Sequence, residues 1–273
     1  MNNFKHIDKT LINQKGKIIH QIWFGTIPNK KTAVKTYEKF KLYRESWKNK
    51  NPDWFHIEWS KQLGEDFIKE KFPENYDLYK GYPYEIQRCD MLRYLVLYRY
   101  GGLYADMDYY CNKPFDQALE KFSNDFYLVS TPNSVGGDYV SNSLMYSKPR
   151  HVFWKKLIYE METYKTPPIY YSRHLIIMYT TGPAILTRVY NRYKIKNRLK
   201  SFPSDLFHPY GLGDDITSLK NDKVYAFHLG KGSWEKKDSK ILIYFYNEWK
   251  IVTFIISVMI LPYLIYYSMR FIK

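Results

Sequence analysis

Two aspartates one residue apart, Asp106 and Asp108, are the strongest candidates for chemistry in this chain. They follow a short apolar run at 103–105, which is typical of a buried strand that reaches the surface. Because side chains two apart on a strand point to one face, both carboxylates should converge at the strand's end. Carboxylates this close repel each other unless a cation lies between them. The pair therefore predicts a site for Mg²⁺ or Mn²⁺ that bridges to a substrate phosphate, with a solvated turn as the simpler alternative.

A helix and a glycine turn precede the two aspartates and should position them. Residues 85–100 carry apolar side chains at spacings of three and four, which predicts a helix with one buried stripe. Gly101 and Gly102 follow, and a glycine just past a helix accepts the left-handed conformation that closes the last turn. On this helix Asp90 and Arg93 share one face. By themselves they could form an exposed ion pair, which contributes little stability.

Strand and helix patterns alternate along the rest of the chain, and this alternation predicts an α/β fold with a mainly parallel sheet. Alternating or apolar runs predict strands at 17–25, 54–59, 126–130 and 224–228. Helical periodicity predicts helices at 35–48 and 150–164. Ligands of such sheets bind outside the carboxyl ends of the strands, which is where Asp106 and Asp108 are predicted to lie.

Composition limits the classes of partner. The chain has 273 residues with 45% hydrophobic and 19% aromatic side chains, which excludes a largely disordered protein. Its net charge of +15, from 42 basic and 27 acidic residues, favours nucleotide diphosphates or anionic lipid head groups. Nucleic acid is not a predicted partner, because the lysines are scattered and no nucleic-acid motif accompanies them.

The C-terminal segment 251–269 is almost wholly apolar, and Lys250 and Arg270 flank it. Nineteen helical residues are long enough to cross a bilayer, and aromatic side chains near both ends suit its interfaces. The segment predicts a single-pass C-terminal transmembrane helix within 250–270, attached to one large domain at 1–240. A buried core helix is the alternative.

The stretch 81–108 resembles the DXD-motif glycosyltransferases of family 32, and within that family the inositol-phosphorylceramide mannosyltransferases. The residues that carry the resemblance are Tyr82-Pro83-Tyr84, Ile86-Gln87-Arg88, Asp90, Arg93-Tyr94, Leu97-Tyr98, Tyr100-Gly101-Gly102, Tyr104, Asp106 and Asp108. The resemblance implies a GT-A-like, single Rossmann-like domain. It also implies that Asp90 and Arg93 hold the donor sugar while Asp106 and Asp108 bind the metal, which makes these four the predicted catalytic residues.

Other positions match the family's donor site. By the resemblance, His228 at a strand end is a third metal ligand, and the glycine loop after it covers the diphosphate. Thr181 would cap a helix with proline in its first turn, and the free N–H groups of a helix start suit phosphate. A ring near the first strand would stack on the base, unless it is simply core. The predicted donor-binding residues are Trp23, Phe24, Asn142, Thr181, Gly182, Lys231, Gly232, Ser233 and Trp234.

The resemblance therefore implies a metal-dependent, retaining glycosyltransferase at an endomembrane, in the Golgi or endoplasmic reticulum. The expected donor is GDP-mannose and the expected acceptor a membrane glycolipid such as inositol phosphorylceramide. A UDP-sugar donor with a glycan or protein acceptor is one alternative. A phosphoesterase that uses the same aspartates is another, and a non-catalytic, basic, membrane-attached binding protein is a third.

Overall fold

The structure is a computed structural model that describes residues 2–25, 30–131, 139–194, 199–210, 222–230, 238–239 and 241. The chain divides into two compact units. The first comprises 1–169 and 175–231 and contains the sheets, and the second comprises 170–174 and 232–273. Within the second unit, the backbone N–H of His174 donates to Asp238 Oδ2 over 2.8 Å.

Helices and strands are interspersed along the chain, with some runs of two or three elements of one kind. The α-helices are α1 Asn2–Asn13, α2 Lys30–Lys39, α3 Lys41–Lys50, α4 Lys61–Lys71, α5 Tyr76–Gly81, α6 Glu85–Tyr100, α7 Phe115–Phe122, α8 Val152–Thr163, α9 Arg173–Thr180, α10 Pro183–Tyr193 and α11 Ser204–Phe207. The strands are β1 Ile18–Ile22, β2 Phe55–Trp59, β3 Gly102–Ala105, β4 Tyr109–Cys111, β5 Phe126–Ser130, β6 Val140–Ser147, β7 Lys200–Phe202 and β8 Ala226–His228.

Six of these strands form one mixed sheet in the order β2-β1-β3-β6-β5-β7. The neighbours β2–β1, β1–β3 and β5–β7 run parallel, whereas β6 is antiparallel to both β3 and β5. The prediction of an α/β fold with a mainly parallel sheet is therefore confirmed. A separate two-stranded sheet pairs β4 with β8 in antiparallel register.

The large sheet has a hydrophobic core on each face, because consecutive side chains of a strand point to opposite faces. In β1, Ile18 packs into the core that contains α1, α4, α6, α8 and α10, and Ile19 packs into the core that contains α3, α7 and α11. In β3, Tyr104 faces the first core and Leu103 faces the second. The sheet is thus covered on both sides, as an α/β fold requires.

The helix and glycine turn before the aspartates form as predicted. Helix α6 begins and ends at the predicted residues, and its C-cap is Gly101 with a φ of 66°. Gly102 has a φ of 93°, and a Cβ there would lie 2.4 Å from the backbone oxygen of Ile18. Glycine is needed at Gly102 for both reasons, since other residues rarely adopt this φ and none would fit beside β1.

Among the helices, one prediction is wrong and one helix was missed. The helix predicted at 35–48 is two helices, α2 and α3, which are separated at Phe40. The N-terminal helix α1 was not predicted, because residues 1–16 are mostly polar. Its Phe4 and Leu11 are nevertheless buried in the first core, and Asp8 pairs with Lys71 and Arg99, so a mostly polar helix is docked by a few contacts.

The predicted membrane segment at 251–269 lies outside the described residues. Among the helices that the structure does describe, none is both long and apolar enough to span a bilayer. The predicted domain boundaries at 1–240 and 250–270 stay predictions.

Candidate metal and donor site

Asp106 and Asp108 converge, although not on a strand as predicted. Strand β3 ends at Ala105, and the two aspartates lie in the tight turn that leads into β4. The backbone N–H of Tyr109 donates to the carbonyl of Asp106 over 3.0 Å and closes this turn. The sequence pattern mispredicted the turn as a strand because it continues the apolar alternation of β3. The turn still holds the carboxylates at the carboxyl end of a central strand.

His228 completes a three-residue cluster with these aspartates. Antiparallel pairing of β4 with β8 places His228 directly opposite Tyr109, and their rings stack with centroids 5.0 Å apart. His228 Nε2 lies 2.9 Å from Asp108 Oδ1 and 3.8 Å from Asp106 Oδ2. One ligand atom from each of the three residues lies within 4.8 Å of the others. The predicted metal ligands are thus brought together.

The chemistry of this cluster fits a hard divalent cation. Two carboxylate oxygens and one imidazole nitrogen suit Mn²⁺ or Mg²⁺, and all three side chains remain partly exposed. Burial alone would lower the pKa of His228, but the charges of Asp108 and Asp106 outweigh burial and raise the pKa. The carboxylates thus favour the protonated imidazole, whereas metal binding needs the neutral ring.

Arg93 and Tyr104 orient Asp106 from inside the protein. Arg93 donates from Nη1 to Asp106 Oδ1 over 2.9 Å, and the hydroxyl of Tyr104 donates to the same oxygen over 2.6 Å. The guanidinium carbon of Arg93 also lies 4.6 Å from the centre of the Tyr104 ring. One oxygen of Asp106 is therefore occupied by protein donors, which leaves Oδ2 directed at His228.

Asp90 and Arg93 are not an exposed ion pair, since the whole residues are only 2% and 4% exposed. Arg93 Nη2 lies 3.2 Å from Asp90 Oδ1. Asn142 Nδ2 donates to Asp90 Oδ1 over 3.0 Å, and Thr181 Oγ1 donates to Asp90 Oδ2 over 2.9 Å. Burial raises the pKa of Asp90 to about 7, although Arg93 and both hydrogen bonds oppose this shift. The contact of Asp90 and Arg93 with a donor sugar stays a prediction.

Thr181 does not cap a helix as predicted. It follows the end of α9, and the N-cap of α10 is Gly182, with Pro183 at the first helical positions. The hydroxyl of Thr181 is used instead for Asp90, which ties the α9–α10 junction to α6. The structure therefore joins four predicted site residues, Asp90, Arg93, Asn142 and Thr181, into one buried network that reaches Asp106.

Trp23 lies just after β1 and lines a cavity of about 400 Å³. Its ring packs against those of Tyr37 and Phe40, with centroids 5.9 and 6.1 Å apart. Glu58 on β2 lines the same cavity. Phe24 packs against the first core instead. The structure thus places Trp23, and not Phe24, on an open aromatic wall that suits a flat base.

Four predicted donor-binding residues lie outside the described residues, namely Lys231, Gly232, Ser233 and Trp234.

Two residues beside the metal cluster were missed. Sequence reasoning gave no role to Tyr104, although its spacing of two from Asp106 was a usable signal. It also missed His208, whose ring centroid lies 5.2 Å from that of His228, and no local pattern marks this histidine. Burial lowers the pKa of His208 to about 3, so its ring is neutral beside the cluster.

Comparison with known proteins identifies the segment that carries the two aspartates. Residues 37–125 match the model of a family described as a glycosyltransferase sugar-binding region containing DXD motif. The resemblance to the DXD-motif glycosyltransferases is confirmed. Asp106 and Asp108, the two aspartates of the DXD motif, lie within the matched residues, as do Asp90 and Arg93.

Two relatives share most of this chain. Inositol phosphoceramide mannosyltransferase 2 of Schizosaccharomyces pombe is 32% identical over 230 residues, which are 84% of this chain and 60% of that protein. A mannosyl phosphorylinositol ceramide synthase of Saccharomyces cerevisiae is 33% identical over 179 residues, which are 65% of this chain and 43% of that protein. The chain therefore matches less than two thirds of the length of either relative.

A solved structure, the PaToxG glycosyltransferase, is also similar. It aligns with 70% of this chain and 77% of its own, at 17% identity and a TM-score of 0.44.

Proposed function

We propose that this chain is a metal-dependent, retaining glycosyltransferase of GT-A-like fold that moves mannose from GDP-mannose to a membrane glycolipid. The observation that carries the proposal is the convergence of Asp106, Asp108 and His228 at the carboxyl end of β3. The names of the two relatives support mannose as the sugar and an inositol-phosphate sphingolipid as the acceptor. The net charge of +15 suits both the anionic donor and an anionic head group.

The residues of the site have separate roles in this proposal. Asp106, Asp108 and His228 would hold Mn²⁺ or Mg²⁺, which neutralises the charge that develops on a leaving diphosphate. Arg93 and Tyr104 fix the carboxylate of Asp106, so that little reorganisation is needed when the donor binds. In this proposal Asp90 and Arg93 orient the sugar, and the loop at 231–234 covers the diphosphate.

One donor and acceptor screen tests the proposal. The detergent-solubilised full chain is incubated with Mn²⁺, inositol-phosphorylceramide vesicles and labelled GDP-mannose, alongside UDP-glucose, UDP-galactose and UDP-N-acetylglucosamine. Label from GDP-mannose is expected in the lipid. Label that enters lipid only from a UDP-sugar refutes the donor, and label that enters only soluble glycans refutes the acceptor. Release of sugar 1-phosphate and nucleoside monophosphate without transfer would indicate a phosphoesterase instead.

Glu58 is expected to favour guanine over uracil in the Trp23 cavity. Glu58 Oε2 accepts from the Tyr37 hydroxyl over 2.6 Å and Oε1 accepts from Arg44 over 3.2 Å, and each oxygen has a further lone pair to offer. Guanine presents two adjacent N–H donors, which suit a carboxylate. Uracil flanks its one N–H donor with carbonyl oxygens, which a carboxylate repels.

The Glu58→Gln variant should therefore lower kcat/KM for GDP-mannose by roughly tenfold or more, because a hydrogen bond to a charged group is lost. Its ratio of GDP-mannose to UDP-glucose use should fall. Steady-state kinetics measure both, with Tm checked because Glu58 also holds Arg44. Glu162→Gln, a change at a half-exposed glutamate, is the control and should match the native chain. An unchanged donor ratio in Glu58→Gln would contradict the assignment.

Membrane attachment through 251–269 is part of the proposal. A chain that ends at Ser239 should partition into the aqueous phase in detergent phase separation and still bind GDP. The full chain should partition into the detergent phase. Extraction of the full chain without detergent, together with misfolding of the shortened chain, would assign the segment to the core.

A further inference from the structure

A basic groove of about 520 Å³ lies at the end of α6 that is remote from the metal cluster. The C-terminal ends of α4 and α6 and the start of α8 form it. Arg99 on its wall lies about 9 Å further along α6 than Arg93, at 1.5 Å per residue. The groove also adjoins the beginning of β3, whereas the metal cluster follows the end of that strand. Its lining residues are Lys71, Arg99, Arg150, Lys155, Phe72, Tyr98 and Val152.

Two of the cations form ion pairs with carboxylates of the protein. Lys71 Nζ lies 2.9 Å from Asp8 Oδ2, and Arg99 Nη2 lies 3.5 Å from Asp8 Oδ1. The side chain of Asp8 is 9% exposed, so it compensates these charges from the protein interior. Glu70 adds a second carboxylate, 3.0 Å from Lys71. These contacts hold two of the cationic groups in place at the groove.

The other two cations lack a carboxylate. Within the part of the chain that the structure describes, Arg150 and Lys155 have no ion-pair partner, and Lys155 stands 5.6 Å from the centre of the Tyr98 ring. The backbone N–H of Arg150 donates to the carbonyl of Tyr98 over 2.6 Å, and Arg150 has a φ of 59°. Arginine rarely adopts this conformation, which here fixes where the side chain leaves the backbone.

Charge and shape together specify the ligand. Four cations face two carboxylates, and the first turn of α8, which begins at the groove, contains no acidic residue, although the N-cap His151 accepts from the N–H of Phe153. An excess of positive charge in a concave site attracts an anion, and arginine donates two parallel hydrogen bonds to phosphate oxygens. The volume lies within the range of small-molecule sites and exceeds one phosphate group.

We propose that this groove binds a phosphate monoester, carried on a small polyol or on a lipid head group, at a site separate from the metal cluster. Arg150 and Lys155 contact the phosphate, and Lys71 and Arg99 flank it. The proposal does not depend on the transferase activity, since the ligand needs neither the metal nor the donor.

Calorimetric titration of the detergent-solubilised full chain without divalent metal tests this site. The probes are glycerol 3-phosphate for a free ligand and short-chain phosphatidic acid for a head group, with short-chain phosphatidylcholine as the uncharged comparison. Saturable binding of either phosphate probe is expected, and the probe that binds identifies the source. The double variant Arg150→Ala with Lys155→Ala should weaken binding roughly tenfold or more.

The matched control replaces Lys41 and Lys165 by alanine. Both lysines are exposed and lie away from the groove, and their loss lowers the net charge equally. This control should bind within about twofold of the native chain, because exposed charges are screened. Equal weakening in both double variants would reduce the site to general surface charge and overturn the proposal. Absence of binding by both phosphate probes would overturn it as well.

Discussion

Replacement of Asp108 by asparagine is expected to abolish Mn²⁺-dependent transfer while the fold stays intact. Asp108 contributes a carboxylate to the cluster and accepts from His228, so its loss removes a hard ligand and frees the imidazole. Loss of a residue that only orients a metal ligand typically lowers metal affinity or activity by roughly 10- to 100-fold. Loss of a ligand itself should therefore lower activity by more than about 100-fold. The same result is expected for Asp106→Asn. Release of nucleoside diphosphate from GDP-mannose over a Mn²⁺ titration measures the effect.

Asp125→Asn is the matched control for these two variants. Asp125 is 59% exposed in its side chain and pairs with Lys148 at the surface, so the same chemical change occurs away from the site. It should leave activity unchanged and Tm nearly so. If Asp106→Asn or Asp108→Asn kept near-normal Mn²⁺-dependent activity, the assignment of the metal site would be wrong.

Arg93→Met should produce the largest loss of stability among the site variants. Arg93 is buried between Asp90 and Asp106 and also donates to the backbone carbonyl of Asn142 over 2.9 Å. Removal of one partner from a buried ion pair leaves an uncompensated charge, which costs about 3 kcal/mol or more of the free energy of unfolding. Urea unfolding at pH 7 measures this cost.

The loss of unfolding free energy in Arg93→Met should be larger at high pH than at low pH. Burial raises the pKa of Asp90 to about 7, and loss of Arg93 should raise it further. At pH 5 a protonated Asp90 needs no counter-charge, so the variant should lose less unfolding free energy there than at pH 8. Arg188→Met is the comparison, since the Arg188 side chain is 35% exposed and its buried partner Glu160 keeps Arg192, so the cost should be only about 1 kcal/mol. Equal costs for the two variants would contradict the buried-network interpretation.

The buried network links the donor side of the site to the core. Asp90 on α6 is bonded to β6 through Asn142 and to the α9–α10 junction through Thr181. Tyr94 extends this link, because its hydroxyl accepts from Asn142 over 3.1 Å and donates to the carbonyl of Thr181 over 2.8 Å. Asp106, the proposed metal ligand, is therefore linked through Arg93 to residues from three separate elements, which is how a rigid site is built.

Local patterns were sufficient for much of the fold. The helix at 85–100, the glycines after it and the strand at 126–130 are encoded by periodicity and turn chemistry within a few residues. The aspartate pair could be proposed as a metal site because side chains two apart on a strand share one face, and the turn in the structure also brings the two carboxylates together. The short turn itself was mispredicted, since its Met107 is apolar and buried like a strand residue.

Other features depend on contacts that no local pattern reports. Thr181 looks like a helix cap in the sequence, yet its hydroxyl bonds to Asp90, which lies 91 residues earlier in the chain. Asp90 and Arg93 could equally have formed an exposed pair, because helix spacing does not say which face of α6 is covered. Packing against β6 and the α9–α10 junction decides that they are buried.

The sequence by itself determined the aspartate pair that is proposed to bind a metal, the helix that precedes it and the α/β class, because these depend on residue type and short-range spacing. Tertiary structure alone decided that His228 meets Asp108, since 120 residues separate them and only the pairing of β4 with β8 joins them. It also decided where the cations of the basic groove converge, because Lys71, Arg99 and Arg150 come from segments that are far apart in the chain. Such pairings depend on the global packing of the chain, and hydrophobic periodicity carries no information about them.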